Sequence, residues 1–272
     1  MKKIVVILLL AFPFIVLCQD EQLNEGRNIN NSLSILSGIN EFHYRDEYLS
    51  PYNYSAVMFT AASTYTLRTG PFYHSINAFF STGHPSSEQQ TRDVTVYAGN
   101  LSYLISLMVL NTTIFDNSFQ LLPGAGISSF FTSTNFDASD DQYDYTFYDR
   151  SWYWSHSLSL SLSGVYALSG NSSISLQAAF PLFSLISRPE NSHNFNDKNA
   201  KVIDNFFTAA GQGRSEFLWN DLVLLLEAGY ARPISDHFDF RVLYRFSYGS
   251  SDRPLPLKMY MNNFLAGINW KF

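Results

Sequence analysis

From Trp154 to Ser163 the chain changes character at every residue. Trp152, Trp154, His156, Leu158, Leu160, Leu162, Gly164, Tyr166 and Leu168 alternate with Ser155, Ser157, Ser159, Ser161 and Ser163. Side chains on a strand point to opposite faces in turn, whereas a helix would bring every third or fourth residue together. This period of two predicts a strand with one apolar and one hydroxyl-bearing face. The run also exceeds the about 9–11 residues that a tilted strand needs to cross a bilayer. Phe238–Tyr248 repeats the pattern, with Phe238, Phe240, Val242, Tyr244, Phe246 and Tyr248 facing away from Asp239, Arg241, Arg245 and Ser247. In Tyr54–Arg68, likewise, Val57, Phe59, Ala61, Tyr65 and Leu67 oppose Thr60, Thr64 and Thr66.

Composition supports a membrane setting for such strands. Aromatic residues make up 17% of the chain and charged residues only 15%, against a usual charged share of about 25%. Mean hydropathy is nevertheless −0.06. A helical membrane protein would carry apolar runs of about 18 residues or more, and only the amino terminus approaches this. Strands with one lipid face and one polar face account for all three values together.

The amino terminus reads as a secretory signal peptide over residues 1–18. Lys2 and Lys3 precede the apolar run Ile4–Leu17, with cleavage expected before Gln19. A lipoprotein reading of Cys18 is disfavoured by Leu17 before it. Removal of the signal leaves no cysteine, hence no disulfide or thiol chemistry. It also leaves 15 basic against 23 acidic side chains, a net charge of −8. That balance argues against nucleic acid or an anionic ligand as a bulk partner. Residues 19–32 read as an amino-terminal extension before a single domain over residues 33–272.

The carboxy terminus carries a second address. Phe264, Ala266, Ile268, Trp270 and Phe272 share one strand face, and the chain stops on an aromatic residue. This ending resembles the terminal signature of Gram-negative outer-membrane β-barrels. The resemblance implies that Phe264, Trp270 and Phe272 form a signal read by the barrel assembly machinery. It further implies outer-membrane lipid and lipopolysaccharide as surroundings. The expected fold is all-β, a transmembrane antiparallel up-and-down barrel of about ten strands, with eight as the alternative.

Ten segments fit that fold: Leu33–Tyr44, Tyr54–Arg68, Phe72–Thr82, Val94–Val109, Ile114–Phe130, Trp152–Leu168, Ser172–Ile186, Phe217–Tyr230, Phe238–Tyr248 and Leu257–Phe272. Reading back from a periplasmic Phe272, the connections alternate between long and short, as outer loops and inner turns should. Long ones fall at Arg45–Asn53, Gly83–Asp93, Phe131–Ser151, Ser187–Glu216 and Gly249–Pro256. Short ones fall at Thr69-Gly70-Pro71, Asn111-Thr112-Thr113, Ser169-Gly170-Asn171 and Ala231–His237. Arg45–Pro51 and Ser187-Arg188-Pro189 read as loop starts, where proline ends the hydrogen-bond ladder.

Two groups of residues stand out as candidate sites. Strand parity turns Asp221 and Glu227 inward on one strand, and Arg241 and Arg245 inward on the next. Charges in a narrow lumen must be paired, so a salt-bridge ladder is expected there. The loop Phe131–Ser151 carries Asp137, Asp140, Asp141, Asp144 and Asp149 among Phe136, Tyr143, Tyr145, Phe147 and Tyr148. It reads as an acidic, aromatic surface loop, without the glycine-centred spacing of a calcium hand. Trp152 and Trp154 suit the outer aromatic girdle.

Enzymatic signals are weak. Omptin proteases are ten-stranded barrels whose site joins paired aspartates to a His–Asp pair at the outer rim. The nearest residues here, Asp140, Asp141 and His156, do not reproduce that spacing, and His84 and His193 stand in other loops. Asp236-His237 falls in an inner turn. His156 and Ser157 are adjacent on a strand, so they face opposite ways and cannot act as a pair. No cofactor or metal site and no catalytic residue is assigned. The leading expectation is a structural protein, or one binding an extracellular ligand or partner protein through its loops. A narrow pore for small solutes and a rim-located hydrolase are the alternatives.

Overall fold

The computed structural model describes residues 31–47, 50–89, 94–136, 150–188, 214–217, 221–253 and 255–272. The signal peptide and almost all of the expected extension lie outside the described residues, as do Asp137, Asp140, Asp141, Asp144 and Tyr145. Twelve strands are present among the described residues: β1 (Asn31–Asp46), β2 (Tyr54–Thr69), β3 (Phe72–Gly83), β4 (Val94–Leu107), β5 (Leu110–Ile114), β6 (Asn117–Phe136), β7 (Arg150–Ala167), β8 (Ser173–Ser187), β9 (Arg214–Phe217), β10 (Asp221–Pro233), β11 (Phe238–Ser251) and β12 (Leu257–Lys271). All pairings are antiparallel, and ten strands close into a barrel in chain order, with β5 and β9 as additions. Closure is by β12 on β1, from Ser32 opposite Lys271 to Asp46 opposite Leu257. A closed barrel leaves no unpaired wall edge, which is why a strand structure can stand in hydrocarbon at all.

The alternation becomes an inside and an outside. Ile35, Ile39, Val57, Phe59, Leu101, Leu158, Leu162, Leu176, Phe264 and Ile268 are exposed on the outer wall. Their neighbours in sequence turn into the lumen, so Ser157, Ser159 and Ser161 are buried while the leucines between them are not. An apolar exterior on a closed barrel is the form in which strands span a membrane. At the closing seam the strands need glycine. A Cβ on Gly38 would lie 1.9 Å from the Phe264 carbonyl oxygen, and one on Gly267 would lie 2.0 Å from that of Ile35.

Three expectations need correction. Asn111-Thr112-Thr113 is not a turn: it lies in β5, which pairs back onto the foot of β6 from Leu110 opposite Leu121 to Ile114 opposite Asn117. The chain reverses instead at Phe115-Asp116, where both residues have positive φ, 50° and 63°. That is the backbone of a two-residue hairpin turn, reached here without glycine. Second, Phe217–Tyr230 is two elements. Phe217 belongs to β9 and pairs with Phe183, while β10 starts at Asp221 and pairs with the inner part of β8. Third, the barrel strands run further outward than expected, β6 to Phe136 and β11 to Ser251. Pro181 sits within β8 because the pairing slips there: Leu158 faces Phe183, and Ser159 faces Pro181. Such a bulge tolerates the missing amide hydrogen.

Candidate functional site

The lumen has two unlike halves. Toward the long loops it is filled. Phe42, Val96 and Tyr153 have 0% exposure, and Met58, Val94, Leu257, Met259 and Met261 have 1%. Phe130 packs edge-on against Tyr153, with ring centroids 6.1 Å apart. The small residues of β7 allow this. Its inward serines leave room for the methionines and aromatics of the facing wall, and Ser155 and Ser157 are hydrogen-bonded. Ser157 Oγ lies 2.8 Å from Ser184 Oγ and Ser155 Oγ lies 3.1 Å from Ser157 Oγ.

Above this packing lies a buried polar clasp. Arg188, the last described residue before the longest outer loop, donates to Asp46 Oδ1 at 2.8 Å. It also donates to the backbone carbonyls of Arg253 and Leu255, at 2.9 and 2.7 Å. Both side chains of the ion pair are buried, with relative exposures of 2% and 0%. Tyr44 Oη and Ser151 Oγ each donate to Asp46 Oδ2 at 2.9 Å. One guanidinium thus ties together the starts of the first and fourth outer loops and the backbone of the fifth. Nearby, Tyr153 Oη donates to the carboxylate of Asp221, at 2.8 and 2.9 Å from its two oxygens.

Toward the short turns the lumen is more polar and partly open, with the buried Leu36 and Leu104 among its inward residues. Thr64, Thr66, Ser75, Asn77, Ser175, Gln177 and Asn269 face inward and are only half-buried. Here Arg245 Nε donates to Glu227 Oε1 at 2.6 Å, directly across the β10–β11 register. The Arg245 guanidinium also sits 5.1 Å from the centroid of the Phe79 ring. Lys271 Nζ donates to Asp239 Oδ1 at 2.8 Å, and Asn269 Nδ2 donates to Asp239 Oδ2 at 3.1 Å. Arg241 donates to the hydroxyl of Ser34 at 2.9 Å, which in turn donates to Asn269 Oδ1 at 2.7 Å.

The four lumen residues expected to form one ladder are therefore divided. Glu227, Arg241 and Arg245 lie in the inner half, but only Glu227 and Arg245 form an ion pair. Asp221 stands at the outer end of β10, opposite Ser251, and bonds to Tyr153. Six residues along a strand are too many for one arginine to span. Asp46, Arg188 and Tyr153 were not among the expected site residues. In the sequence Asp46 and Arg188 read only as loop starts. They are 142 residues apart in sequence, and only the closed barrel brings β1 and the end of β8 to one place. His156 faces outward, its ring stacked on Trp154 at 5.8 Å. Phe264, Trp270 and Phe272 also face outward; Trp270 and Phe272 lie 4.6 Å apart between ring centroids. No group of three His, Cys, Asp or Glu side chains suited to a metal is found among the described residues.

No family model matches the chain, and no curated protein matches it. Solved structures do. The outer membrane protease OmpT from Escherichia coli aligns with a TM-score of 0.51 at 11% identity, covering 93% of this chain and 99% of that one. The translocator domain of the autotransporter NalP from Neisseria meningitidis aligns at a TM-score of 0.42 and 10% identity, over 97% and 95% of the two chains. Neisserial surface protein A aligns at 0.38 and 11% identity, over 91% and 100%. At these identities the likeness concerns fold. The chain is a ten-stranded barrel of the outer-membrane type.

Proposed function

We propose that this protein is a non-conducting barrel of the outer membrane that acts through its extracellular loops, as a structural or binding protein. The observation that carries this reading is the packed outer half of the lumen, where Phe42, Met58, Tyr153, Met259 and Met261 leave almost no accessible surface. A pore needs a continuous hydrated path, and side chains this closely packed do not provide one. The Arg188 clasp supports the loop part of the proposal. Its three attachments hold the bases of separate loops at fixed positions, which is how a rigid scaffold presents a binding surface.

In this reading the loops around Phe131–Ser151 and Ser187–Glu216 meet an extracellular ligand or partner protein. The exterior wall meets lipid and lipopolysaccharide. The Phe264, Trp270 and Phe272 face would be read by the barrel assembly machinery during insertion. Planar-bilayer recording tests the central claim. Purified protein is expected to pass little current, and steady ion conduction would overturn the proposal in favour of a narrow pore. Deleting each loop and screening glycans and proteins for lost binding tests the second part. Equal binding by the intact and loop-deleted chains would leave the loops without the proposed role.

A further inference from the structure

The inner half of the lumen holds more positive than negative charge, although the chain as a whole is acidic. Its inward-facing cations are Arg68, Arg241, Arg245 and Lys271, and its inward carboxylates are Glu227 and Asp239. Each carboxylate is taken: Glu227 by Arg245 at 2.6 Å and Asp239 by Lys271 at 2.8 Å. Arg241 and Arg68 are left over. Among the described residues neither has a carboxylate oxygen within ion-pair distance, which every paired cation here meets at 3.2 Å or less. Arg241 bonds to a neutral hydroxyl, that of Ser34. Arg68 bonds to the Gly70 carbonyl at 3.3 Å and lies 5.3 Å from the centroid of the Tyr73 ring.

Small residues flank Arg241 on both neighbouring strands. Its two cross-strand neighbours are Ala231 on β10 and Gly267 on β12, so no bulky side chain covers the guanidinium from either strand. A guanidinium has five N–H donors in a planar fork, and Ser34 occupies one. A partly desolvated cation with spare donors attracts an anion whose geometry matches the fork, and carboxylate and phosphate both do. Because the outer half of the lumen is packed, such an anion can reach Arg241 only from the side of the short turns.

We infer that the inner vestibule is an oxyanion-binding site open to the periplasm. Arg241, assisted by Ser34 and Asn269, is its deep ligand, and Arg68 is the cation at its mouth. The site takes small carboxylates or phosphates that are already in the periplasm. It is independent of whatever the outer loops bind.

The test uses the purified full chain in detergent micelles, with inorganic phosphate as the probe, followed by titration calorimetry and phosphorus NMR line broadening. One saturable site in the millimolar range is expected, at phosphate concentrations up to about 50 mM. Arg241→Gln should weaken it about tenfold or more, because a charge-assisted fork is lost. Arg241→Lys should restore part of the affinity, since it keeps charge without the fork. Arg68→Gln should weaken binding several-fold, roughly as removal of one screened charge would. Lys258→Gln, on the outer wall, should leave it unchanged. Heat-modifiable gel migration confirms that each variant is folded, and Arg68→Gln carries the test if Arg241→Gln does not assemble. Absence of a saturable site in the intact protein would overturn the inference. So would unchanged phosphate binding in folded Arg241→Gln and Arg68→Gln.

Discussion

The two halves of the lumen use the same strands and solve the same problem differently. In the outer half, inward positions carry Phe42, Met58, Val96, Tyr153 and Met259, and the charges are few and buried. In the inner half, positions further along those strands carry Thr64, Ser34 and Asn269, and the charges are more numerous and unequal in sign. Burial explains the contrast. A charge sealed from water needs a partner and further hydrogen bonds, and Asp46 has Arg188, Tyr44 and Ser151. Arg241, in the half-open vestibule, has no ion pair and donates instead to the buried Ser34 hydroxyl. The outer half is therefore suited to holding a shape, and the inner half to exchanging ions with its surroundings.

The comparison makes predictions of graded size. The largest concerns the clasp. Arg188→Ala takes the guanidinium away from the buried Asp46 carboxylate, so unfolding in denaturant is expected to show a loss of about 3–5 kcal/mol. A loss below about 1 kcal/mol would mean that water reaches Asp46 and that the outer half is not sealed. Next is the packing itself. Phe42→Ala should cost about 3–5 kcal/mol through cavity formation, and the double change Met259→Ala with Met261→Ala should permit measurable current in planar bilayers. If these truncations cost little and conductance stays flat, the seal lies elsewhere.

Third, Arg245→Ala should destabilise by a few kcal/mol, because Glu227 is left facing a mostly buried site. Arg241→Ala is expected to change stability least, by less than about 1 kcal/mol, since it strands no carboxylate. If Arg241→Ala proves as costly as Arg245→Ala, the vestibule charges form one coupled network. A double-mutant cycle between the two positions would measure that coupling.

Much of the fold was legible because strand geometry writes itself into sequence with a period of two. The faces of β7 and β11 follow directly from Trp152–Leu168 and Phe238–Tyr248, and the strand number follows from the alternation of long and short connections. Turn chemistry was less legible. Asn111-Thr112-Thr113 looks like a turn by composition, yet β5 continues through it, because the foot of β6 offers a pairing partner. The reversal at Phe115-Asp116 uses positive φ without glycine, so no local residue announces it. The split between Phe217 and Asp221 was hidden for a similar reason. Which part of β8 each segment pairs with is a property of the neighbouring strand.

Of the lumen residues, Glu227 and Arg245 could be placed on facing strands from parity and hairpin register alone, both being local. Asp46, Arg188 and Tyr153 could not. They lie on the first wall strand, just past the end of the seventh and on the sixth, and nothing in their flanking residues marks a shared location. By itself, then, the sequence determined which side chains face lipid and which face the lumen. Alternation is a local consequence of backbone geometry, and burial reinforces it at every step. Only the tertiary structure decided which inward residues meet. Closure of β12 on β1 sets where each strand stands around the barrel, and that global constraint joins Asp46 to Arg188 and leaves Arg241 without a carboxylate.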